Sequence, residues 1–145
     1  MNVKEIVKGI VRKRPKNALV DAVMGWIAKE GYKADFKDGQ IIFKVEGKFI
    51  IIRFDDNDKY YISFMFPRFY ETPDEYKTLA LYNMNYLNNR IKYAYLCMDE
   101  EGWVSVFSEL TVTLETVDYV MKRMLGILRT MSIEFLNEIN KGWSI

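Results

Sequence analysis

The residue types that most often carry out chemistry in proteins are rare in this sequence of 145 residues. It contains no histidine and a single cysteine, Cys97. One cysteine forms neither an internal disulfide nor a multi-cysteine zinc site, and without histidine the thiol lacks the base that usually activates it. Because Cys97 lies in the apolar run YAYLCM, we interpret it as a small buried hydrophobic residue and not as a nucleophile.

Two acidic clusters could in principle bind a metal ion or transfer protons. Residues 55–58 read DDND, but a calcium loop of the EF-hand type needs a glycine at its sixth position, where this sequence has Tyr60 or Tyr61. Residues 99–101 read DEE, and adjacent carboxylates at a hairpin tip are solvated and repel one another, which does not favour a paired acid and base. We therefore interpret both clusters as solvated turns and predict no catalytic residue, no metal site and no cofactor. The chain is expected not to be an enzyme.

The overall composition predicts one folded domain. Half of the residues are apolar and 15% are aromatic, which is enough for a sizeable core. The net charge is +1, so the overall field does not mark nucleic acid or a membrane as the partner. No run reaches the roughly 20 apolar residues of a membrane span, and Lys4, Lys8 and Arg12 interrupt the apolar run that a secretory signal would need. We expect a soluble cytoplasmic protein.

Residues 1–16 form a candidate basic amphipathic helix that Pro15 ends, and residues 17–145 form a single α+β domain. The first segment has six Lys or Arg residues and one Glu, whereas the rest of the chain has 15 basic and 19 acidic residues. Three interpretations stay open: the helix docks on the domain, packs between two subunits, or lies on an anionic membrane or nucleic acid. The candidate basic patch consists of Lys4, Lys8, Arg12, Lys13 and Arg14.

Apolar residues at alternate positions predict an antiparallel sheet of about five strands. The segments QIIFKV, KFIIIRF and KYYISFMF are separated by turn signals and predict a three-stranded meander whose middle strand lies inside the sheet. Pro67 is expected to end the third strand, because proline cannot donate to the ladder. KYAYLCM and WVSVF predict a further hairpin across residues 99–102.

Helices are predicted before the meander, between the meander and the hairpin, and at the C-terminus. Asn17 is the expected N-cap of a helix that Gly31 ends. The run TPDE at residues 72–75 predicts the start of the next helix, with Thr72 as its cap. With the basic helix in front, the predicted order is α-α-β-β-β-α-β-β-α.

The last helix is expected to begin between residues 113 and 116 and to end at Gly142. Its apolar residues recur at intervals of four and three, which predicts a continuous buried seam. That seam consists of Val117, Met121, Met124, Leu128, Met131 and Phe135.

Over roughly residues 17–140, and chiefly in the segment 64–110, the chain resembles the YbjN family, which is grouped with the fold of type III secretion chaperones. The resemblance is carried by Phe66-Pro67, the helix led by Pro73, Asn83 and Asn88 in LYNMNYLN, the turn at residues 99–102 and the long last helix. It implies a curved antiparallel sheet with helices packed on it, commonly in a homodimer. Chaperones of this fold bind unfolded segments of a client, and a regulatory role without a defined chemistry is proposed for YbjN-like proteins.

The sequence therefore favours a non-catalytic protein-binding or chaperone-like adaptor, homodimeric, that engages a protein segment through apolar or sheet-edge contacts. The alternative is a module that contacts a membrane surface or nucleic acid through the basic patch. The partner-binding residues are expected at exposed apolar positions on the last helix and in the turn after the third strand. They are Phe66, Phe69, Tyr70, Ile127 and Ile133.

Overall fold

The computed structural model describes residues 17–141. Within this range three α-helices and a six-stranded antiparallel sheet follow one another in the order α-β-β-β-β-α-β-β-α. The α+β class is confirmed, and the sheet has six strands where about five were predicted. The predicted basic helix of residues 1–16, its boundary with the domain and the predicted helix end at Gly142 lie outside the described residues.

Helix α1, Ala18–Lys29, begins and ends as its flanking residues predict. The Asn17 side chain accepts a hydrogen bond from the backbone N–H of Leu19 at 3.0 Å. Gly31 has a φ of +86°, and the N–H groups of Gly31 and Tyr32 bond back to carbonyls of the last turn. This pair of bonds is the Schellman arrangement, in which a glycine takes the left-handed conformation that other residues avoid.

The six strands form one sheet in the order β1-β2-β3-β4-β6-β5, and all neighbours are antiparallel. The strands are β1 Ala34–Lys37, β2 Gln40–Val45, β3 Lys48–Asp55, β4 Asp58–Glu71, β5 Tyr95–Met98 and β6 Trp103–Thr111. The unpredicted strand is β1, whose four residues ADFK are too few to show a period-two pattern.

The prediction that Pro67 ends the third strand is wrong. Strand β4 continues through Pro67 to Glu71, with a register shift between Phe66 and Tyr70. Arg68 has a φ of +44° in this shift, so the segment is a bulge. A bulge leaves residues without ladder bonds, and proline is tolerated there because its missing N–H is not required.

The prediction that Thr72 caps the next helix is also wrong. Helix α2, Lys77–Asn88, follows a 3-10 turn at Asp74–Tyr76 whose N-cap position is Pro73, without a side-chain cap. The Thr72 side chain is buried, and its hydroxyl has no hydrogen-bond partner among the described residues. Its backbone N–H bonds to the carbonyl of Gly102 at 2.9 Å, so Thr72 ties the end of β4 to the β5–β6 turn.

Helix α3, Val117–Lys141, follows a 3-10 turn at Leu114–Thr116. Thr113 and Thr116 form a reciprocal capping box, which confirms the predicted start. All six residues of the predicted seam are buried. They pack with α1, α2 and one face of the sheet to form the core, and none of the helices in residues 17–141 is long and apolar enough to cross a membrane.

Candidate binding surface on the open face of the sheet

One row of apolar side chains crosses the sheet on the face that points away from the core. Ile42 lies opposite Ile51, Ile51 opposite Met65, Met65 opposite Phe107, and Phe107 opposite Tyr95. Successive side chains of a strand point to opposite faces, so all five members of this open-face row share one face. With strands about 4.8 Å apart, the row is about 19 Å long.

The open-face row is not covered by the described part of the chain. The strand residues that are fully inaccessible, such as Ile41, Ile52 and Phe64, lie on the opposite face, where the helices of residues 17–141 pack. Members of the row are half-buried by their neighbours, and Tyr95 is 39% exposed. The surface therefore offers contiguous apolar contact area, the kind of patch that marks interaction sites.

Two shallow clefts of about 470 Å³ and 430 Å³ adjoin the row. Met65, Tyr95 and Phe107 line both clefts and form their shared wall. We call the first the polar cleft, because Arg53, Ser63, Tyr61 and Glu109 line it. We call the second the apolar cleft, which adds Pro67, Cys97, Met98 and Trp103 to the shared wall.

In the polar cleft a tyrosine and a glutamate are paired. The Tyr61 hydroxyl donates a hydrogen bond to Glu109 Oε1 at 2.9 Å. Burial raises the pKa of Tyr61, and the negative charge of Glu109 adds to that effect against a hydrogen bond with Ser63 that lowers it. Tyr61 therefore stays protonated at neutral pH. Beside it, Arg53 Nε donates to Gln40 Oε1 at 3.1 Å.

The acidic residues of the 55–58 turn are used by the turn itself. Asp55 Oδ1 accepts the N–H of Asn57 at 2.8 Å, and Asp58 Oδ1 accepts the N–H of Tyr60 at 3.0 Å. Such bonds are the reason that aspartate favours turns. Within residues 17–141 no three Asp, Glu or Cys side chains are grouped so as to hold a metal ion.

The rim of the apolar cleft is held by Arg68. Its Nη2 lies 2.9 Å from Asp99 Oδ2, and its Nη1 lies 3.6 Å from Glu101 Oε2. Its backbone N–H donates to Ser105 Oγ at 2.8 Å. These ion pairs are exposed and contribute little stability by themselves, but together they join the β4 bulge to the β5–β6 hairpin. Two of the three carboxylates of the DEE cluster, those of Asp99 and Glu101, thus contact Arg68 at the rim of the cleft.

The half-buried Cys97 lines the apolar cleft near the β5 edge. Burial raises the pKa of the Cys97 thiol, which keeps it protonated and weakly nucleophilic at neutral pH. Burial likewise raises the pKa of Tyr95, with smaller contributions from Glu109 and Cys97. Inside the charged rim formed by Arg68 and Asp99, this cleft therefore offers contact through neutral side chains.

The predicted partner-binding residues lie on the helix side of the sheet and not on the open face. Phe66 is only 7% exposed, and its ring centroid lies 5.3 Å from that of Phe69. The prediction that Phe66 is exposed in a turn is therefore wrong, because strand β4 continues past it to Glu71. Phe69 and Tyr70 are half-buried, with ring centroids 5.8 Å and 5.5 Å from that of Phe135.

On helix α3, Ile127 is half-buried and Ile133 is 42% exposed. Partner binding by these five residues stays a prediction. The basic patch, Lys4, Lys8, Arg12, Lys13 and Arg14, lies outside the described residues, so its contact with a membrane or nucleic acid also stays a prediction.

Sequence reasoning missed the open-face row, although a signal for it was present. Strands β2, β3 and β4 contain consecutive apolar residues (II, III and FMF), so each is apolar on both faces. Such runs are typical of strands buried on both sides. The helices of residues 17–141 cover one side, and the second side is left as a surface that a partner could cover.

No protein-family model and no curated protein matches the chain, whereas several solved structures share its fold. An uncharacterised protein from Methanothermobacter thermautotrophicus has a TM-score of 0.61 and 11% identity, over 87% of this chain and 99% of that one. YbjN from E. coli, a proposed transcription regulator, has a TM-score of 0.59 and 15% identity, over 81% and 89%. A chain of the HopA1–SchA chaperone–effector complex has a TM-score of 0.58 and 14% identity, over 80% and 92%.

At these identities the similarity concerns the fold alone. It confirms the resemblance to the YbjN and secretion-chaperone fold that the sequence indicated. One of these similar proteins is a proposed regulator, and another is a chain of a complex between a chaperone and its effector.

Proposed function

We propose that this chain is a non-catalytic, cytoplasmic protein-binding domain that holds an apolar segment of a partner protein on the open face of its sheet. The observation that carries the proposal is the open-face row, five apolar side chains in register across five strands. The fold shared with a chain of a chaperone–effector complex supports the same class of function.

The geometry of the face favours a helical segment over an extended one. The backbone groups of the inner strands are used in the sheet ladders, so the face offers an incoming strand no backbone partners. A helix satisfies its own backbone and presents an apolar stripe, as in helix-in-groove recognition. A helix that follows a row of about 19 Å needs about 13 residues at 1.5 Å per residue.

Charged groups of both signs lie at the two clefts that adjoin the row. The polar cleft carries Arg53 and Glu109, and the rim of the apolar cleft carries Arg68 with Asp99. Apolar contact along the row supplies most of the free energy of binding, at about 25 cal/mol per Å² of buried apolar surface. The flanking charges contribute to orientation and specificity.

A phage-displayed library of 16-residue peptides, panned on the immobilised chain, tests the proposal. We expect the enriched peptides to carry apolar residues at helical spacing and to bind Met65→Glu at least about tenfold more weakly. Tyr95→Ala serves as a second variant because its side chain is already 39% exposed, so we expect its removal to disturb the core little.

Leu81→Glu is the matched control, since Leu81 is 51% exposed on α2, away from the row. Panning that enriches no such peptides would contradict the proposal. Equal losses of affinity in Met65→Glu and Leu81→Glu would contradict it as well.

A further inference from the structure

The two edges of the sheet are not equivalent. At the β5 edge the Asn88 side chain accepts the N–H of Leu96 at 2.7 Å and donates to the carbonyl of Leu96 at 3.2 Å. An asparagine amide carries the same donor and acceptor as a strand backbone, so it occupies the groups that an incoming strand would use. Covering an edge in this way prevents pairing with another chain.

At the β1 edge no side chain among the described residues is seen to bond to the outward backbone groups as Asn88 does at β5. Asp38 and Gly39 have φ values of +53° and +76° and form the two-residue turn that joins β1 to β2. In such a hairpin the closing pair, here Lys37 and Gln40, is hydrogen-bonded, so the next pair is not. The N–H and carbonyl of Phe36 therefore point away from β2, towards the free edge.

Phe36 also distinguishes this edge from a protected one. Short length and edge charges oppose pairing with another chain, and β1 has both, but an exposed apolar side chain on an edge strand favours pairing. The Phe36 side chain is 51% exposed and lies on the helix side of the sheet, in register with the buried Ile41. Its neighbours Asp35 and Lys37 lie on the open face, exposed and of opposite charge.

We propose that β1 pairs antiparallel with β1 of a second copy, with Phe36 of one copy opposite Phe36 of the other. In this two-fold register the outward N–H and carbonyl of Phe36 bond to the same groups of the second copy. Asp35 of each copy then lies opposite Lys37 of the other, in the non-hydrogen-bonded pair where side chains approach most closely. A two-fold interface has to be self-complementary. The pairing of Asp35 with Lys37 of the second copy meets this requirement, because the two-fold axis repeats it.

A two-fold register centred on residue 35 instead of residue 36 places like charges opposite one another. A shift that centres the pairing on residue 35 would bring Asp35 opposite Asp35 of the second copy, and like charges in that position are destabilising. The favoured register joins two six-stranded sheets into one of twelve strands. It also brings the two open faces onto one continuous surface, because Asp35 lies in register with Ile42 at the end of the open-face row.

Charge reversal with sedimentation equilibrium tests the interface. We expect a reversible dimer whose dissociation constant rises about tenfold in Lys37→Asp and in Asp35→Lys, since each change replaces two attractive pairs with two repulsive ones. The double variant Asp35→Lys/Lys37→Asp exchanges the charges and should restore the affinity of the original chain. Lys92→Asp is the control, because Lys92 is exposed in the loop between α2 and β5.

Disulfide trapping tests the register, in a Cys97→Ser background. An equimolar mixture of Asp35→Cys and Lys37→Cys chains should form a covalent heterodimer under mild oxidation, and neither variant should form a covalent dimer by itself. The expected Cα separation of a non-hydrogen-bonded pair, about 4.5 Å, lies within the range that a disulfide spans.

Three results would overturn the proposal. They are a monomer at high micromolar concentration, a dimer that the charge reversals weaken no more than Lys92→Asp does, and trapping of the single variants without the heterodimer. Peptide binding to the open face is measured separately with Met65→Glu, so failure of the dimer and failure of the proposed function are distinguishable.

Discussion

At the scale of single residues, Cys97 has a side chain that could react but an environment that suppresses reaction. Its thiol is half-buried, and burial raises its pKa, so the thiolate is scarce near neutral pH. We expect the folded chain to react with a disulfide reagent at about pH 8 more slowly than a small free thiol. The same chain in denaturant is the control. A reaction in the folded state as fast as in denaturant would contradict this view of Cys97.

Asp118 gives a pH-dependent contribution to stability. Trp26 Nε1 donates to Asp118 Oδ1 at 3.0 Å, and Lys122 Nζ lies 3.3 Å from Oδ2. The hydrogen bond from Trp26, followed by that from Lys122, lowers the pKa of Asp118 in the folded state. Its contribution is therefore fully present above the unfolded-state pKa of about 4 and is lost as the pH falls through the lower folded-state value.

Asp118→Asn isolates the charge, because asparagine keeps the acceptor for Trp26. We expect the variant to unfold at lower urea concentration than the original chain from about pH 5 upward, with the difference shrinking below about pH 4. Urea titrations over a pH series measure it. A difference that is as large at about pH 3 as at neutral pH would show that the charge of Asp118 is not its cause.

At the scale of elements, the tight turns were predictable because their conformations restrict the residue type. Gly39 and Gly47 follow acidic residues in two-residue turns, where positive φ values are needed at both positions. Gly31 was predictable for the same reason at the end of α1. These glycine signals depend only on neighbouring residues, so they predict the turns without knowledge of the rest of the fold.

The two wrong predictions for elements depended on non-local contacts. Pro67 lies in a bulge that forms only because β6 pairs with β4. The presence of a proline in the sequence does not predict that pairing. Thr72 has the composition of a cap, but its backbone is held by Gly102 of a distant hairpin. Strand β1 was not predicted, because four residues are too few to show the alternation of apolar and polar residues that indicates a strand.

Gly102 allows a comparison between conformational strain and steric contact. Gly47 and Gly102 have φ values of +79° and +91°, but a Cβ at Gly47 would meet nothing within 4 Å. A Cβ at Gly102 would lie 3.0 Å from the Thr72 carbonyl oxygen, a backbone atom that cannot move aside as a side chain would.

We expect Gly47→Ala to cost about 1 kcal/mol for its left-handed backbone alone. Gly102→Ala should cost about 3 kcal/mol, because contact with Thr72 adds to the strain. Chemical denaturation measures the loss in the free energy of unfolding for each of the two variants. Equal losses in the two variants would mean that the β4 end and the hairpin are not held together as described.

At the scale of the whole molecule, the chain is a sheet with helices on one side among residues 17–141. The core was largely predictable, since the period of α3 alone identified six buried residues. The candidate site was not, because a sequence shows that a strand is apolar on both faces without showing which face its own helices cover. Ile42, Ile51 and Met65 could be recognised as surface residues only after the layers were known.

Methyl NMR on the chain labelled at Ile and Met, titrated with a peptide from the panning experiment, tests the central claim most directly. We predict that the methyl signals of Ile42, Ile51 and Met65 shift with peptide concentration, while that of Ile133 on α3 does not. Shifts at Ile133 with unchanged signals from Ile42, Ile51 and Met65 would place the partner on the helix side and contradict the account.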